Sequence, residues 1–336
     1  MMNRVLILVL SLLSLKADPL KLIFDTDMGN DIDDAMALAM IHALQDKGEV
    51  ELLAVTSTKD HPLSAAYIDA LNTFYGRPDI PVGAVRNGVT KEQGRYLGTM
   101  ERKNGEDGLV YPRDLKSGKE AMEAVALLRK TLAAQPDGSV SIAQVGFFTN
   151  LVRLVESKPD EYSPLSGEDL IKKKVKQLGV MAGAFTEING NKRYLEYNVK
   201  MDIPSAQALA EKWPGKIIWS GFEIGIAARY PWGSIVNDYN YITNHPIKEG
   251  YLAYCKRGEH RPTWDLTTVL QMVYPERGYF TLSEAGTVTV EKDSFTRHQV
   301  GKGQHQIIRM NEQQAARVKE AFVQLCSFPP AGLRKK

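Results

Sequence analysis

The sequence predicts an α/β fold in which a mostly parallel central sheet has helices on both faces. Short apolar runs alternate with segments of helical spacing along most of the chain, a pattern typical of βαβ units with right-handed crossovers. The 336 residues are 43% hydrophobic and carry a net charge of +2. This composition supplies a large core and excludes a disordered chain. It also argues against a strongly basic binder, so we expect no nucleic acid polymer among the partners.

The individual elements follow from the local periodicity. An apolar run at 20–24 predicts the first strand, and the Ala, Met and Leu residues that follow it share one helical face. The same patterns predict further strands at 51–56, 140–145, 175–181, 216–219, 287–290 and 306–308. They predict helices at 33–45, 64–75, 120–134, 150–157, 203–212 and 311–326.

The N-terminus is typical of a secretory signal peptide. Arg4 precedes an apolar run at 5–15, and Ala17 provides a small residue before a cleavage point. The run is too short to span a bilayer comfortably. We therefore expect a signal peptide at 1–17, a single mature domain at 18–336 that is secreted or periplasmic, and no stable membrane insertion after cleavage. A buried first strand or a membrane anchor is the alternative.

Two segments interrupt the alternation of strands and helices. Residues 86–116 are polar and rich in glycine, which predicts a long loop or flap. Residues 230–261 carry six aromatic side chains, and for most of them we expect a small satellite core, with a wall for a flat ligand as the alternative. The spacing of Cys255 and Cys326 does not decide whether they pair.

The ten residues 25–34 contain five carboxylates between a predicted strand and a predicted helix. Ligands of open parallel sheets bind at the carboxyl ends of strands, where this cluster falls. A helix N-terminus favours one or two acids, but the remaining acids would repel one another. An all-oxygen cluster suits a hard cation such as Ca²⁺ or Mg²⁺. The alternative is a capped helix with solvated acids.

This segment resembles the N-terminal signature of the inosine–uridine-preferring nucleoside hydrolases, Asp-x-Asp-Pro-Gly-x-Asp-Asp-Ala. Here Met28 replaces the usual Pro, and Asn30 and Asp31 are two extra residues before the second acidic pair. The resemblance covers residues 20 to 275. It continues with Glu-Leu-Leu-Ala-Val-Thr at 51–56, Gly-Phe-Phe-Thr-Asn-Leu at 146–151, Glu-Tyr-Asn at 196–198, Asp202, and Trp-Asp at 264–265.

The resemblance implies a nucleoside-hydrolase-like fold and a calcium-dependent enzyme that cleaves small-molecule ribonucleosides into ribose and free base. Asp27, Asp34 and Asp265 would bind Ca²⁺ through their side chains, and Thr149 through its backbone carbonyl. Asp27 would also act as the general base that removes a proton from the attacking water. The family often forms dimers or tetramers, so the resemblance suggests a homo-oligomer.

The same resemblance assigns the substrate contacts. Asp33, Glu196 and Asn198 would bind the ribose hydroxyls. Asn189 or Asn191 would contact the 5′ side of the sugar, and the local alignment does not choose between them.

Three departures from the family pattern change the expectations. Trp264 stands where the family has a His, which excludes acid catalysis from this position; its indole would stack on a purine or pack in the core. Purine nucleosides are therefore somewhat favoured. His61, near the position of a ribose-binding Asn, would be a substitute acid or an ordinary surface residue. We expect Asp31 to be a solvated turn residue rather than an acid that contacts the residues of the site.

Two other functions compete with hydrolysis of nucleosides. The altered positions would also suit a secreted protein that binds a nucleoside or sugar without cleaving it. Residues 24–27 further resemble the Asp-x-Asp start of haloacid-dehalogenase-type phosphatases, although Gly29 stands where that pattern expects Thr or Val. A changed sugar or leaving group with the same calcium chemistry is a third possibility.

Overall fold

A central sheet of eleven strands forms the middle layer of the fold. The structure is a computed structural model that describes residues 18–104 and 108–334; the predicted signal peptide at 1–17 lies outside these ranges. The strands are β1 (Leu20–Thr26), β2 (Val50–Ser57), β3 (Val82–Ala84), β4 (Met122–Glu123), β5 (Val140–Gln144), β6 (Val175–Met181), β7 (Ile217–Ser220), β8 (Arg229–Tyr230), β9 (Arg261–Pro262), β10 (Thr281–Leu282), β11 (Gly286–Val290), β12 (Thr296–Val300) and β13 (His305–Arg309).

The strand order places β1 near the middle of the sheet. The order is β12-β11-β13-β7-β6-β5-β1-β2-β3-β4, and the strands from β13 to β4 run parallel. Strands β10, β11 and β12 join antiparallel, and β8 pairs with β9 in a separate ribbon. From β1 the chain first extends the sheet through β2 to β4, then returns to β5 on the other side of β1. The pair β1–β5 is therefore a topological switch point, where α/β sheets bind ligands.

Helices cover both faces of the sheet, which confirms the predicted fold class. Along β1, Leu22 and Phe24 belong to one hydrophobic core and Ile23 to the other, as expected for side chains that alternate across a strand. The helices are α1 (Asp33–Asp46), α2 (Pro62–Phe74), α3 (Ala124–Ala133), α4 (Thr149–Glu156), α5 (Gly167–Lys174), α6 (Tyr197–Met201), α7 (Ile203–Lys212), α8 (Phe222–Ala227), α9 (Trp232–Asn237), α10 (Pro246–Tyr254), α11 (Asp265–Val273) and α12 (Glu312–Cys326). Short 3₁₀ helices lie at Leu97–Glu101 and Ala331–Leu333.

The predicted helix at 120–134 is shorter in the structure. Its first residues form β4, which pairs with β3 at the edge of the sheet. Glu123 then caps α3 by accepting a hydrogen bond of 2.9 Å from the backbone N–H of Ala126. Pairing with β3 therefore places these residues in a strand although their own periodicity favours a helix. Local sequence patterns do not report such a tertiary effect.

The two irregular segments are packed more closely than their composition indicates. Within 86–116, Tyr96, Leu97 and Met100 are buried in the core. Of the six aromatic residues in 230–261, Tyr230, Tyr239 and Tyr251 are fully buried. They belong to the same hydrophobic core as Leu22 and Phe24 rather than to the expected satellite core. Both cysteines are buried and free, so the question of pairing is answered for this structure. No helix in the described ranges has the length and apolar character needed to cross a membrane.

Candidate active site

A tight turn links the end of β1 to α1 and carries the acidic cluster. Gly29 lies at the centre of this turn with φ of +119°. A Cβ at this position would lie 2.6 Å from Leu97 Cδ1, so the turn requires glycine. The buried hydroxyl of Tyr96 accepts a hydrogen bond of 2.7 Å from the Gly29 N–H and donates one of 2.8 Å to the Asp31 carbonyl. Tyr96, which belongs to the long loop at 86–116, therefore holds the turn in place through two hydrogen bonds.

Three buried carboxylates converge from two helix N-termini. Asp33 and Asp34 lie in the first turn of α1, and Asp265 is the first residue of α11. Each offers an oxygen within 4.8 Å of the others, and none is more than 4% exposed. Burial, reinforced by neighbouring carboxylates, raises the pKa of all three well above the ordinary value. Buried acids at this spacing need protons or a cation, and their donor set fits a hard divalent ion.

Asp27 lies at the end of β1 and lines the same cavity. Its Oδ2 accepts a hydrogen bond of 2.6 Å from the Asn30 side-chain amide. Burial raises the pKa of Asp27 to about 6, although Asn30 and the positive charge of Lys59 oppose this shift. A carboxyl group that titrates near neutral pH is suited to general-base catalysis.

Lys59 is a functional neighbour that sequence reasoning missed. Its side chain is 1% exposed, and its ammonium group donates hydrogen bonds to Asn30 Oδ1 and, at 3.3 Å, to Thr90 Oγ1. The Asn30 amide therefore bridges Lys59 and Asp27. The extra residue Asn30 in the acidic segment was the available signal, because an inserted amide between buried groups needs hydrogen-bond partners.

Thr149, predicted to be a ligand through its backbone carbonyl, does not line the cavity. It is the first residue of α4, and its hydroxyl donates a hydrogen bond of 2.8 Å to Asp202 Oδ2. Val145, which directly follows β5, lines the cavity instead. Its carbonyl accepts a hydrogen bond of 3.0 Å from the Asn198 side chain. The carboxyl end of β5 thus reaches the cavity before α4 leads the chain away from it.

Glu196 and Asn198, which the resemblance assigns to the ribose hydroxyls, line one wall of the cavity. Glu196 caps α6 and accepts hydrogen bonds of 2.9 to 3.1 Å from the backbone N–H groups of Gly183, Asn198 and Val199. Burial nevertheless raises its pKa to about 7. These contacts hold both side chains in fixed positions beside the carboxylates.

Trp264 lies on the opposite wall, where it both packs and lines the cavity. Its indole N–H donates a hydrogen bond of 2.9 Å to the Phe222 carbonyl, and the two rings are 5.1 Å apart. A Cβ on Gly225 would lie 2.1 Å from the indole, so the ring rests directly on the backbone of α8. The Trp264 backbone N–H donates to Asp33 Oδ2 at 2.7 Å and joins this wall to the carboxylate cluster.

Arg261 and Tyr254 complete this wall, and no sequence motif singled out Arg261. Its guanidinium lies 5.0 Å from the Tyr254 ring centre and 5.5 Å from that of Trp264. Asp31 forms an ion pair with Arg261. The expectation that Asp31 is a solvated turn residue is therefore wrong, because the fold brings a cation from 230 positions away to meet it.

Three other predicted residues also lie away from the cavity. Asn189 and Asn191 are exposed in a turn closed by a bridge between Ile188 and Asn191. His61 caps α2, where its Nδ1 accepts a hydrogen bond of 3.1 Å from the Leu63 N–H. Burial and the nearby Lys59 lower the pKa of His61, which disfavours a protonated imidazole.

The cavity measures about 360 Å³, within the usual range for small-molecule sites. Its carboxylate floor consists of Asp27, Asp33, Asp34 and Asp265, and its aromatic wall consists of Phe222, Tyr254, Arg261 and Trp264. A polar floor that suits a cation and a flat apolar wall together describe a site for a ligand with a hydroxyl-rich part and a planar part.

Residues 22–323 match the family described as inosine-uridine preferring nucleoside hydrolase, and the chain belongs to this family. The uncharacterized protein C1683.06c of Schizosaccharomyces pombe is 30% identical over 191 residues, an alignment that covers 56% of each chain. The chain thus aligns with little more than half the length of this relative.

Solved structures share the fold. A plant nucleoside hydrolase, PpNRh1, is 20% identical with a TM-score of 0.69, over 93% of this chain and 100% of its own. A purine-preferring ribonucleoside hydrolase from Gardnerella vaginalis is 17% identical with a TM-score of 0.68, over 93% of this chain and 98% of its own.

The family match leaves the interpretation as a haloacid-dehalogenase-type phosphatase without support.

Proposed function

We propose that this protein hydrolyses the N-glycosidic bond of ribonucleosides, with purine nucleosides favoured, and releases ribose and the free base. The observation that carries the proposal is the carboxylate floor, which lies at the switch point of the sheet beside a flat aromatic wall. Membership of the nucleoside hydrolase family supports the reaction class. The purine-preferring neighbour from Gardnerella vaginalis supports the substrate preference.

We further propose that the floor holds Ca²⁺. Asp27, Asp34 and Asp265 would be side-chain ligands. The Asp33 carboxylate also has an oxygen within 4.8 Å of oxygens of Asp34 and Asp265. Oxygen donors from several carboxylates match the preference of calcium. A bound divalent cation would supply Lewis-acid activation of water and an anchor for vicinal hydroxyls.

The side chains around the floor have separate roles in the proposed reaction. Asp27 accepts a proton from the water that attacks the anomeric carbon, while the Asn30 amide holds its second oxygen. Asp33, Glu196 and Asn198 orient the ribose hydroxyls from positions that their own backbone contacts fix. The sugar passes through an oxocarbenium-like state as the base departs with the bonding electrons.

The position of Trp264 is the reason for proposing a purine as the planar part of the substrate. Its large π-surface lies on the cavity wall and is kept in place by Phe222 and Gly225. Stacking on a two-ring base buries more apolar surface than stacking on a pyrimidine. The indole has no titrating group, so it contributes orientation rather than a proton.

The test is to incubate purified residues 18–336 with inosine, adenosine, uridine and cytidine and to measure released ribose. We expect cleavage that is faster for the purine nucleosides, is lost after dialysis against a chelator and returns with calcium. Cleavage that survives removal of the cation would contradict the metal assignment. Calorimetric binding of nucleosides without turnover would favour the non-catalytic binder, and neither binding nor turnover would reject both functions.

We also propose that residues 1–17 direct export and are then removed. The support is the charged, apolar and small-residue pattern of this segment. N-terminal sequencing of the full-length chain, recovered from the exported fraction of expressing cells, is expected to start near residue 18. Retention of an uncleaved chain inside the cell would contradict this proposal.

A further inference from the structure

The cavity has an unbalanced distribution of charge. Its floor contains four carboxylates, and Asp31 and Glu196 raise the number that line the cavity to six. Among the described residues that line it, Arg261 is the cationic one. A nucleobase that leaves with the bonding electrons becomes negatively charged, and the carboxylates would repel it. The position normally occupied by a His is Trp264, which has no proton to donate.

Arg261 lines the cavity beside the rings of the aromatic wall. It opens β9 three residues before Trp264, and its guanidinium lies within 5.5 Å of the centres of both the Trp264 and Tyr254 rings. Its side chain is 20% exposed. A guanidinium packed on aromatic faces in a partly dry site interacts with charge more strongly than it would in bulk water.

Asp31 fixes the orientation of this guanidinium. The Arg261 Nε donates to Asp31 Oδ1 at 3.1 Å, and Nη2 donates to Oδ2. Two longer contacts of 3.4 Å join Nη1 to Glu259 Oε1 and Nη2 to the Tyr254 hydroxyl. A guanidinium has five N–H donors, so these four contacts leave at least one for a ligand. Because Asp31 holds the guanidinium of Arg261 through two N–H groups, the remaining N–H donor has a fixed orientation at the cavity.

We infer that Arg261 contacts the departing nucleobase and stabilises its negative charge. The inference rests on the proposed function and names a group that acts on the leaving side of the reaction. Arg261 retains its protons throughout, since a guanidinium does not deprotonate in proteins. Its contribution is electrostatic stabilisation by a donor placed before the reaction begins.

The step balances without any further reactant. The electron pair of the bond between the anomeric carbon and the base nitrogen moves to the base. The oxygen of water bonds to the anomeric carbon, and the proton it loses goes to Asp27. After departure the base takes a proton from solvent, while Asp27 later returns its proton to solvent. The products are ribose and the neutral base.

The experiment compares inosine with 4-nitrophenyl riboside in the wild-type protein and in R261Q. We expect R261Q to lower kcat for inosine by about 100-fold, as removal of one preorganised donor does in other enzymes. Hydrolysis of the nitrophenyl riboside should be unchanged, because nitrophenolate leaves without such help. Arg95 also lies over the Tyr254 ring but is exposed and does not line the cavity, so R95Q is the matched control and should leave both rates unchanged.

Equal losses on both substrates would show a structural role for Arg261 and overturn the inference, as would an unchanged rate for inosine. Thermal unfolding of each variant is measured in parallel. If R261Q does not fold, R261K keeps the charge without the planar fork and should show a smaller loss that is again selective for inosine. If the wild-type protein cleaves neither substrate, the proposed function itself fails; if it cleaves both and R261Q does likewise, only the inference fails.

Discussion

The carboxylate floor and the aromatic wall of the cavity are constructed in different ways. The floor comes from the end of β1 and the N-termini of α1 and α11, elements that belong to the central sheet and its covering helices. The wall comes from the end of α10, from β9, from α8 and from Trp264, which directly precedes α11. Carboxylates on the floor repel one another, whereas the charge of Arg261 on the wall is paired with Asp31. The floor is thus arranged to receive a cation, and the wall is arranged to hold a donor in one orientation.

The largest expected effect is on the floor. Asp27→Asn should lower kcat by about 1000-fold or more, because the amide cannot accept the proton of the attacking water. The check is the initial rate of ribose release from inosine at saturating cation. Asp79→Asn, an exposed acid outside the cavity, is the control and should keep the wild-type rate. Comparable rates for Asp27→Asn and the control would remove Asp27 from the mechanism.

A second change tests which floor carboxylates bind the cation. Asp265→Asn should weaken calcium binding by about 100-fold or more, since even partners outside the ligand shell contribute about 10- to 100-fold. Isothermal calorimetry with calcium measures this directly. Asp33→Asn is the informative companion: a small change in calcium affinity with a raised KM would agree with a ribose-binding role for Asp33. An equally large loss of affinity would make Asp33 a ligand instead.

The corresponding change on the wall should be smaller. Asp31→Asn removes the charge that orients Arg261 and should lower kcat for inosine about tenfold, equivalent to about 1.4 kcal/mol in the barrier. Calcium affinity, measured in the same preparation, should remain close to that of the wild type. A parallel loss of calcium affinity would show that the wall and the floor are not independent.

The smallest expected effect is on stability as a function of pH. Burial raises the pKa of Asp25 from 3.8 to about 7 and that of Glu196 from 4.5 to about 7. Between these values the native state binds more protons than the unfolded state, so stability falls as pH rises. In chelator, Tm should therefore be lower at pH 8 than at pH 5. The increase in Tm on adding calcium should be larger at pH 8; the same increase at both pH values would contradict this linkage.

Much of the floor was predictable from the sequence, because its signals are local. Five acids in ten residues between an apolar strand and a helix predict an oxygen-rich site at a strand end. The same local periodicity predicted the parallel sheet, and the family match confirms that fold. Asp27, Asp33, Asp34 and Asp265 do share one cavity in the structure.

Local patterns failed where a distant residue decides what a side chain does. Thr149 matched a motif, yet the start of α4 directs it to Asp202 and leaves Val145 at the cavity. Asn189 and Asn191 matched in order along the chain but lie in an exposed turn.

The class of fold and the acidic floor follow from local sequence patterns, since periodicity and charge crowding are properties of neighbouring residues. The wall depends on tertiary packing, which brings Arg261 to Asp31 and Trp264 onto Gly225. These pairs form because helices and strands separated along the chain pack together beyond the carboxyl ends of the central strands β1 and β5. An ion pair or a ring contact depends on distance in space, and one sequence records distance only along the chain.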